Sequence, residues 1–138
     1  GVGGQGILLA SRILSAGLIK AGYDVKSSEV HGMAQRGGSV VTQLSYGEKV
    51  YSPIVGAGAV DLLITLEKLE ALRYVHFLKR NGTLLMNLRV MNVVLLGAMV
   101  KLAGLEDMVD WPSVVAESVK PAYREVNFKA FAAGAALV

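Results

Sequence analysis

Polar chemistry in this chain concentrates in the stretch Ser27-Ser28-Glu29-Val30-His31-Gly32-Met33-Ala34-Gln35-Arg36-Gly37-Gly38-Ser39. His31 is one of two histidines. With Glu29 and Arg36 as neighbours, its imidazole can be tuned near neutral pH for proton transfer. Arg36, flanked by Gly37 and Gly38, can present a planar, bidentate donor to a carboxylate or phosphate. It could equally lock the loop against a partner subunit. Gln35 offers a neutral hydrogen bond to a substrate or cofactor. His31, Gln35 and Arg36 are the candidate catalytic residues. An isolated histidine is commonly structural, and the second one, His76, lies among Tyr74, Val75, Phe77 and Leu78 on an amphipathic stretch and reads that way.

A second loop bears on the first. Gly1-Val2-Gly3-Gly4-Gln5-Gly6 has the spacing G-x-G-x-x-G and leads straight into an apolar run with Ile7, Ala10, Leu14 and Leu18 at helical intervals. Glycines allow a tight turn and a close ligand approach. The helix start adds free N–H groups and about half a positive charge, which favour a phosphate. Gly1, Gly3, Gly4, Gln5 and Gly6, with Gly37 and Gly38, are the candidate cofactor-binding residues. Taken alone, the spacing also fits an empty strand–helix turn. A dinucleotide reading requires an acid about 20 residues on, and Asp24 and Glu29 keep it open. Such a turn normally follows a strand, so one is expected before Gly1.

The elements that must hold these loops follow from periodicity. A helix over 7–21 ends at Gly22, suited to the left-handed position. Residues 23–27 read as a strand, and 39–46 as another that turns at Gly47-Glu48 into 49–53, a hairpin. Residues 60–65 form a buried strand. A helix over 66–78 is closed by Lys79-Arg80-Asn81-Gly82, and a strand follows over 83–87. Further helices are expected over 92–104, from an Asp110 or Ser113 cap through Lys120, and over 123–138. Glu67 and Glu70 suit the start of a helix and receive no catalytic task. Trp111 reads as a core or interface anchor. Strands alternating with helices, plus one hairpin, imply a three-layer α/β/α Rossmann-like fold with a mixed, mostly parallel sheet.

Composition narrows the function. The 138 residues fit one domain, 53% hydrophobic and only 18% charged, with mean hydropathy +0.48. That bias means an Ala/Gly/Leu/Val-rich core, a surface covered by partners, or both. No apolar run approaches the roughly 20 residues of a membrane span, and no signal peptide is visible, which points to the cytoplasm. The net charge of +3 is dispersed along the chain, which argues against nucleic-acid binding. Cysteine is absent, which excludes disulfides, thiolate chemistry and cysteine-ligated zinc or Fe–S sites within these residues.

Gly1-Val2-Gly3-Gly4-Gln5-Gly6 together with Ser28-Glu29-Val30-His31-Gly32-Met33-Ala34-Gln35-Arg36-Gly37-Gly38-Ser39 resembles the gamma subunit or domain of the 2-oxoacid:ferredoxin oxidoreductases. The Met33–Gly38 version is most similar to the beta subunit of indolepyruvate ferredoxin oxidoreductase. Tyr51-Ser52-Pro53, the strand over 61–65, Glu67 to Arg73, and Asn92 to Gly97 agree with it. Two departures stand out: the family has a strand before the glycine loop, and a substantial segment near residues 87–89 where this chain has almost none. The resemblance implies a single gamma-type catalytic domain over 1–138. It implies a non-autonomous subunit in the oxidative decarboxylation of an aryl-2-oxoacid to an acyl-CoA, with electrons passed to ferredoxin. Thiamine diphosphate, Mg and the Fe–S clusters would belong to a cysteine-rich alpha-type partner, with coenzyme A at a shared site and no cofactor held by this chain alone. The alternatives from the residues are a stand-alone nucleotide-binding (NAD or ATP) regulatory module and a purely structural scaffold.

Overall fold

The computed structural model describes residues 1, 6–32, 38–86 and 92–138, with Asn92 by its backbone alone. The order is α1 (Ile7–Lys20), β1 (Asp24–His31), β2 (Val40–Gly47), β3 (Val60–Thr65), α2 (Lys68–Tyr74), a 3-10 turn (Val75–Phe77), β4 (Leu78–Met86), α3 (Asn92–Leu102), α4 (Trp111–Ser118), a second 3-10 turn (Pro121–Tyr123) and α5 (Arg124–Ala135). The α/β class is as expected. Among the described residues the strands form two two-stranded sheets, antiparallel β1–β2 and parallel β3–β4.

The helices form the floor on which these sheets rest. Ile13, Leu14 and Leu18 of α1 meet Val93, Leu96 and Val100 of α3, and Trp111, Val114 and Val115 of α4. Leu44 of β2 and Leu62 and Ile64 of β3 pack onto this cluster from the sheets. Small residues set the crossings. A Cβ at Gly97 of α3 would overlap the Phe131 carbonyl of α5, and one at Gly134 of α5 would overlap the Val94 carbonyl of α3. At Gly17 of α1 it would collide with the Trp111 ring. That ring is 2% exposed, and its Nε1 donates to the Leu105 carbonyl at 2.8 Å. Trp111 is therefore the anchor expected of it, with its single polar atom satisfied.

Two helix ends fall at the expected glycines. Gly22 (φ 91°) and Gly104 (φ 65°) take left-handed backbone just past α1 and α3, where only glycine is unstrained. Asp110 stands at the start of α4, but its carboxylate accepts from Ser113 Oγ and makes no bond to the helix backbone.

Two expectations are corrected. The hairpin does not run from β2 into 49–53; β2 pairs backward with β1, Asp24 opposite Gly47 and His31 opposite Val40. The reason lies in Asp24, whose Oδ2 accepts from the Val50 N–H at 2.9 Å and ties the chain after Gly47 to the start of β1. The Lys26 ammonium and the Val50 N–H hold the Asp24 carboxyl below the usual carboxylate range. Second, Lys79 to Gly82 do not close a helix. The helix stops at Tyr74, a 3-10 turn intervenes, and 79–82 lie inside β4. There the β3–β4 register shifts between Val60 and Leu62, with Leu62 opposite Thr83. A Cβ on Gly82 would press on the Leu78 side chain and on the Val60 carbonyl at 2.9 Å. Gly82 serves a close strand contact, not a cap. His76 lies in the 3-10 turn, and its carbonyl accepts from the Gly58 N–H at 3.0 Å, consistent with a structural role. The expected break near 87–89 falls outside the described residues.

In an open helix, Gly→Ala normally stabilises by up to about 1 kcal/mol. At the α3–α5 crossing the sign should reverse: Gly97→Ala is expected to lower the unfolding free energy by about 1–3 kcal/mol. Gly56→Ala, with open space around it, should stay within about 0.5 kcal/mol. Urea denaturation of both variants checks this.

Candidate functional site

The glycine turn and the polar loop are brought to adjacent positions by β2. Val40, the first residue of β2, lies opposite His31, the last of β1. On its other side Val40 donates its N–H to the Gly1 carbonyl at 2.8 Å. Gly1, Val40 and His31 thus stand in a row across three adjacent backbones. One step further, the Gly32 N–H donates to the Ser39 carbonyl at 2.9 Å. Gly1 and the Gly32–Ser39 pair therefore lie at the same end of β2.

Gly6 is the start of α1, with φ 73° and ψ 20°, and its carbonyl accepts from Leu9 and Ala10 at 3.1 and 3.2 Å. This left-handed turn needs glycine. Leu9 is thus the first N–H of α1 seen bonded to the Gly6 carbonyl, at the start where a helix runs short of acceptors of its own. No acid occupies the first turn of α1. Of the candidate binding residues, Gly1, Gly6 and Gly38 are placed; Gly3, Gly4, Gln5 and Gly37 lie outside the described residues, as do Gln35 and Arg36.

His31 is half exposed, with Nε2 3.7 Å from Glu29 Oε2. The two are separated by one strand residue and so share a face. That spacing supports a charge interaction when the imidazole is protonated, and leaves the ring accessible to a ligand at the loop end.

One residue central to this arrangement was not singled out as such. Glu70, in the first turn of α2, is only 4% exposed. Its Oε2 accepts from Ser39 Oγ at 2.6 Å, and its Oε1 accepts from Arg73 Nη1 at 3.0 Å. A buried carboxylate requires such partners. Here they fasten α2 to the base of the polar loop, one residue from Val40. The helix-dipole explanation was sound as far as it went, but it missed the tertiary bond. The available signals were the i,i+3 spacing of Glu70 and Arg73 and a serine directly after two glycines. Among the described residues no three His, Asp or Glu side chains converge as metal ligands, and no helix is long and apolar enough to cross a membrane.

Comparison with known proteins places this geometry. The family described as pyruvate ferredoxin/flavodoxin oxidoreductase matches residues 1–90, which include both loops and Glu70. Curated relatives named "Indolepyruvate oxidoreductase subunit IorB" are 47% identical over 89 residues in Thermococcus kodakarensis and in Pyrococcus horikoshii, covering 64% of this chain and 44% of each relative. One from Archaeoglobus fulgidus is 46% identical over 89 residues, with the same coverage. The matched stretch thus spans less than half of each relative's length. Among solved structures, the chain is similar to the gamma subunit of a keto/oxoacid ferredoxin oxidoreductase from Geobacter sulfurreducens. The TM-score is 0.76 at 27% identity, over 97% of this chain and 92% of that one.

Hydrogen bonds to charged, buried partners are worth about 1.5–3 kcal/mol. Ser39→Ala is expected to cost about 2 kcal/mol and Glu70→Ala at least as much. The double variant should cost clearly less than the sum of the two, because both remove the same bond. Chemical denaturation of the three variants measures the coupling.

Proposed function

The chain belongs to the pyruvate ferredoxin/flavodoxin oxidoreductase family, and on that premise we propose that it is the gamma-type subunit of an indolepyruvate (2-oxoacid) oxidoreductase. The reaction would be oxidative decarboxylation of an aryl-2-oxoacid to an acyl-CoA, with ferredoxin as electron acceptor. The enzyme class is that of oxidoreductases acting on an aldehyde or oxo group with an iron–sulfur acceptor. The observation that carries this reading is the 47% identity over 89 residues to relatives named indolepyruvate oxidoreductase subunit IorB. Residues 1–138 act in this reading as a single domain in a cytoplasmic complex.

The donor set of this chain decides what it contributes. With no cysteine it offers no thiolate to an Fe–S cluster, and its described acids and histidines do not cluster as ligands. Among the described residues no ligand set for a cluster or for a thiamine-bound Mg converges. Those groups are assigned to a cysteine-rich alpha-type partner, where thiamine supplies the electron sink for decarboxylation. This chain forms one wall of the shared site. The turn at Gly6 and the start of α1 would receive a phosphate of coenzyme A. Arg36 would pair with a substrate carboxylate or a cofactor phosphate, Gln35 would donate a neutral hydrogen bond, and His31 would hold or move a proton at the site's edge. Exposed apolar side chains are compatible with a partner: Leu69 and Leu72, three residues apart on α2 and so on one face of it, are 70% and 73% exposed.

Purification of the native protein should yield a complex with a cysteine-rich chain; a lone monomer would count against the reading. In the assembled complex, His31→Ala and Arg36→Ala are each expected to lower kcat/KM for the arylpyruvate by about tenfold to a hundredfold. Unchanged turnover in a verified complex would leave the loop a scaffold. Tight binding of NAD or ATP by the isolated chain would favour a nucleotide-binding module instead.

A further inference from the structure

Helix α2 inverts the usual arrangement of a helix seated on a core. Leu69 and Leu72 are 70% and 73% exposed, whereas Glu70 between them is 4% exposed. Glu70 and Ala71 are the buried residues among its seven. A helix held by apolar burial turns its leucines inward and its acids outward. Here the long side chain that reaches inward is a carboxylate, so α2 is located by directed hydrogen bonds and not by burial of its leucines. The Glu70 bond to Arg73 Nη1 stays within the helix. The bond that Glu70 Oε2 accepts from Ser39 Oγ, at 2.6 Å and across 31 positions of sequence, joins α2 to the entrance of β2.

Stability alone does not call for a charge at this point. Taking a carboxylate out of water is costly, and apolar replacements of buried ion pairs are often neutral or stabilising. What a carboxylate supplies, and a packed leucine does not, is direction: it holds a donor at one distance and angle. The donor here is a junction. The Ser39 carbonyl accepts from the N–H of Gly32, which directly follows His31, at 2.9 Å. Val40, directly after Ser39, stands opposite His31 in the β1–β2 ladder. The His31 ring is half exposed and lies 3.7 Å from Glu29 Oε2, beyond hydrogen-bond length. Its placement therefore follows its backbone, and that backbone is held by Ser39 and Val40.

We propose that Glu70 is a positioning residue: through Ser39 it sets where the His31 imidazole stands at the site. This role rests on His31 acting in the reaction proposed above. The Glu70 carboxylate acts at one remove, through a hydroxyl and a strand start. Displacing a reacting group by about 1 Å can lower a rate about a hundredfold, so a bond that fixes a strand entrance bears directly on turnover.

In the purified complex, Ser39→Ala is expected to lower kcat at least about tenfold. Ser39→Thr, which keeps the hydroxyl, should restore it to within about threefold of the unsubstituted complex. In a His31→Ala background the same Ser39→Ala change should cost less than about twofold, because there is no imidazole left to position. Gly97→Ala, whose added Cβ overlaps the Phe131 carbonyl, is the stability control and should leave kcat within about twofold. Equal losses in Ser39→Ala and Gly97→Ala, or full additivity with His31→Ala, would overturn the assignment and leave Glu70 a structural fastener. Hydrogen exchange in the full-length protein supplies a readout independent of turnover. The Gly32 amide should exchange at least about tenfold faster in Ser39→Ala and near its original rate in Ser39→Thr. An arylpyruvate left unturned by the unsubstituted complex would defeat the proposed reaction alone, and the Gly32 amide would still decide whether Glu70 holds this strand entrance. If Ser39→Ala does not fold, Glu70→Gln replaces it, since a neutral amide weakens the charge-assisted bond. Gly32 exchange should then quicken at least about threefold, and an unaltered rate would sink the proposal.

Discussion

The closeness of α3 and α5 is the constraint on which the remaining architecture depends. With glycine at the crossing on each helix, carbonyl groups of one lie where a side chain of the other would begin. Dispersion contacts at that range are numerous and lost together. The crossing supports α4, whose Trp111 ring enters the notch left by Gly17 on α1. Through that notch α1 is fixed in position, and with it the left-handed turn at Gly6. The position of the turn at Gly6 thus traces back to three glycines at helix crossings.

Strand β2 is the second organising element. It carries Ser39 at its threshold, tied to Glu70, and Val40, flanked by His31 and Gly1. Both loops hang from one strand start, so displacement of β2 would move the glycine turn and the histidine loop together. A buried carboxylate is an apt fastener for such a point. It tolerates little sliding, because loss of either partner leaves charge in a region of low polarity.

What could be read from the chain divides along physical lines. Local backbone demands were legible: Gly22 and Gly104 end helices because left-handed residues there need glycine, and Trp111 could hardly be other than an anchor. The pairing of the two loops was legible as well, since their residue types are specific. Lys79 to Gly82 misled because a basic run followed by Asn-Gly suits a helix end, whereas tertiary pairing with β3 recruited it into a strand. The hairpin was misassigned because the deciding bond joins Asp24 to Val50, 26 residues apart. Glu70 was undervalued for the same reason. Its position in the first turn explains its charge locally, but its burial is set by Ser39, 31 residues away. Long-range hydrogen bonds leave no periodic trace.

The family match ends at residue 90, and α3 begins at Asn92. Most of the buried core lies beyond that point, in α3, α4 and α5, while the loops lie before it. During synthesis the site-bearing residues leave the ribosome first, without the floor that shapes them. Their ordering depends on contacts of high sequence separation, which close slowly. The most recognisable part of the chain is therefore made before the helices it packs on. Until α5 arrives, a nascent chain exposes the apolar face of α3, making that interval the one in which a chaperone or a partner subunit has most to gain by binding.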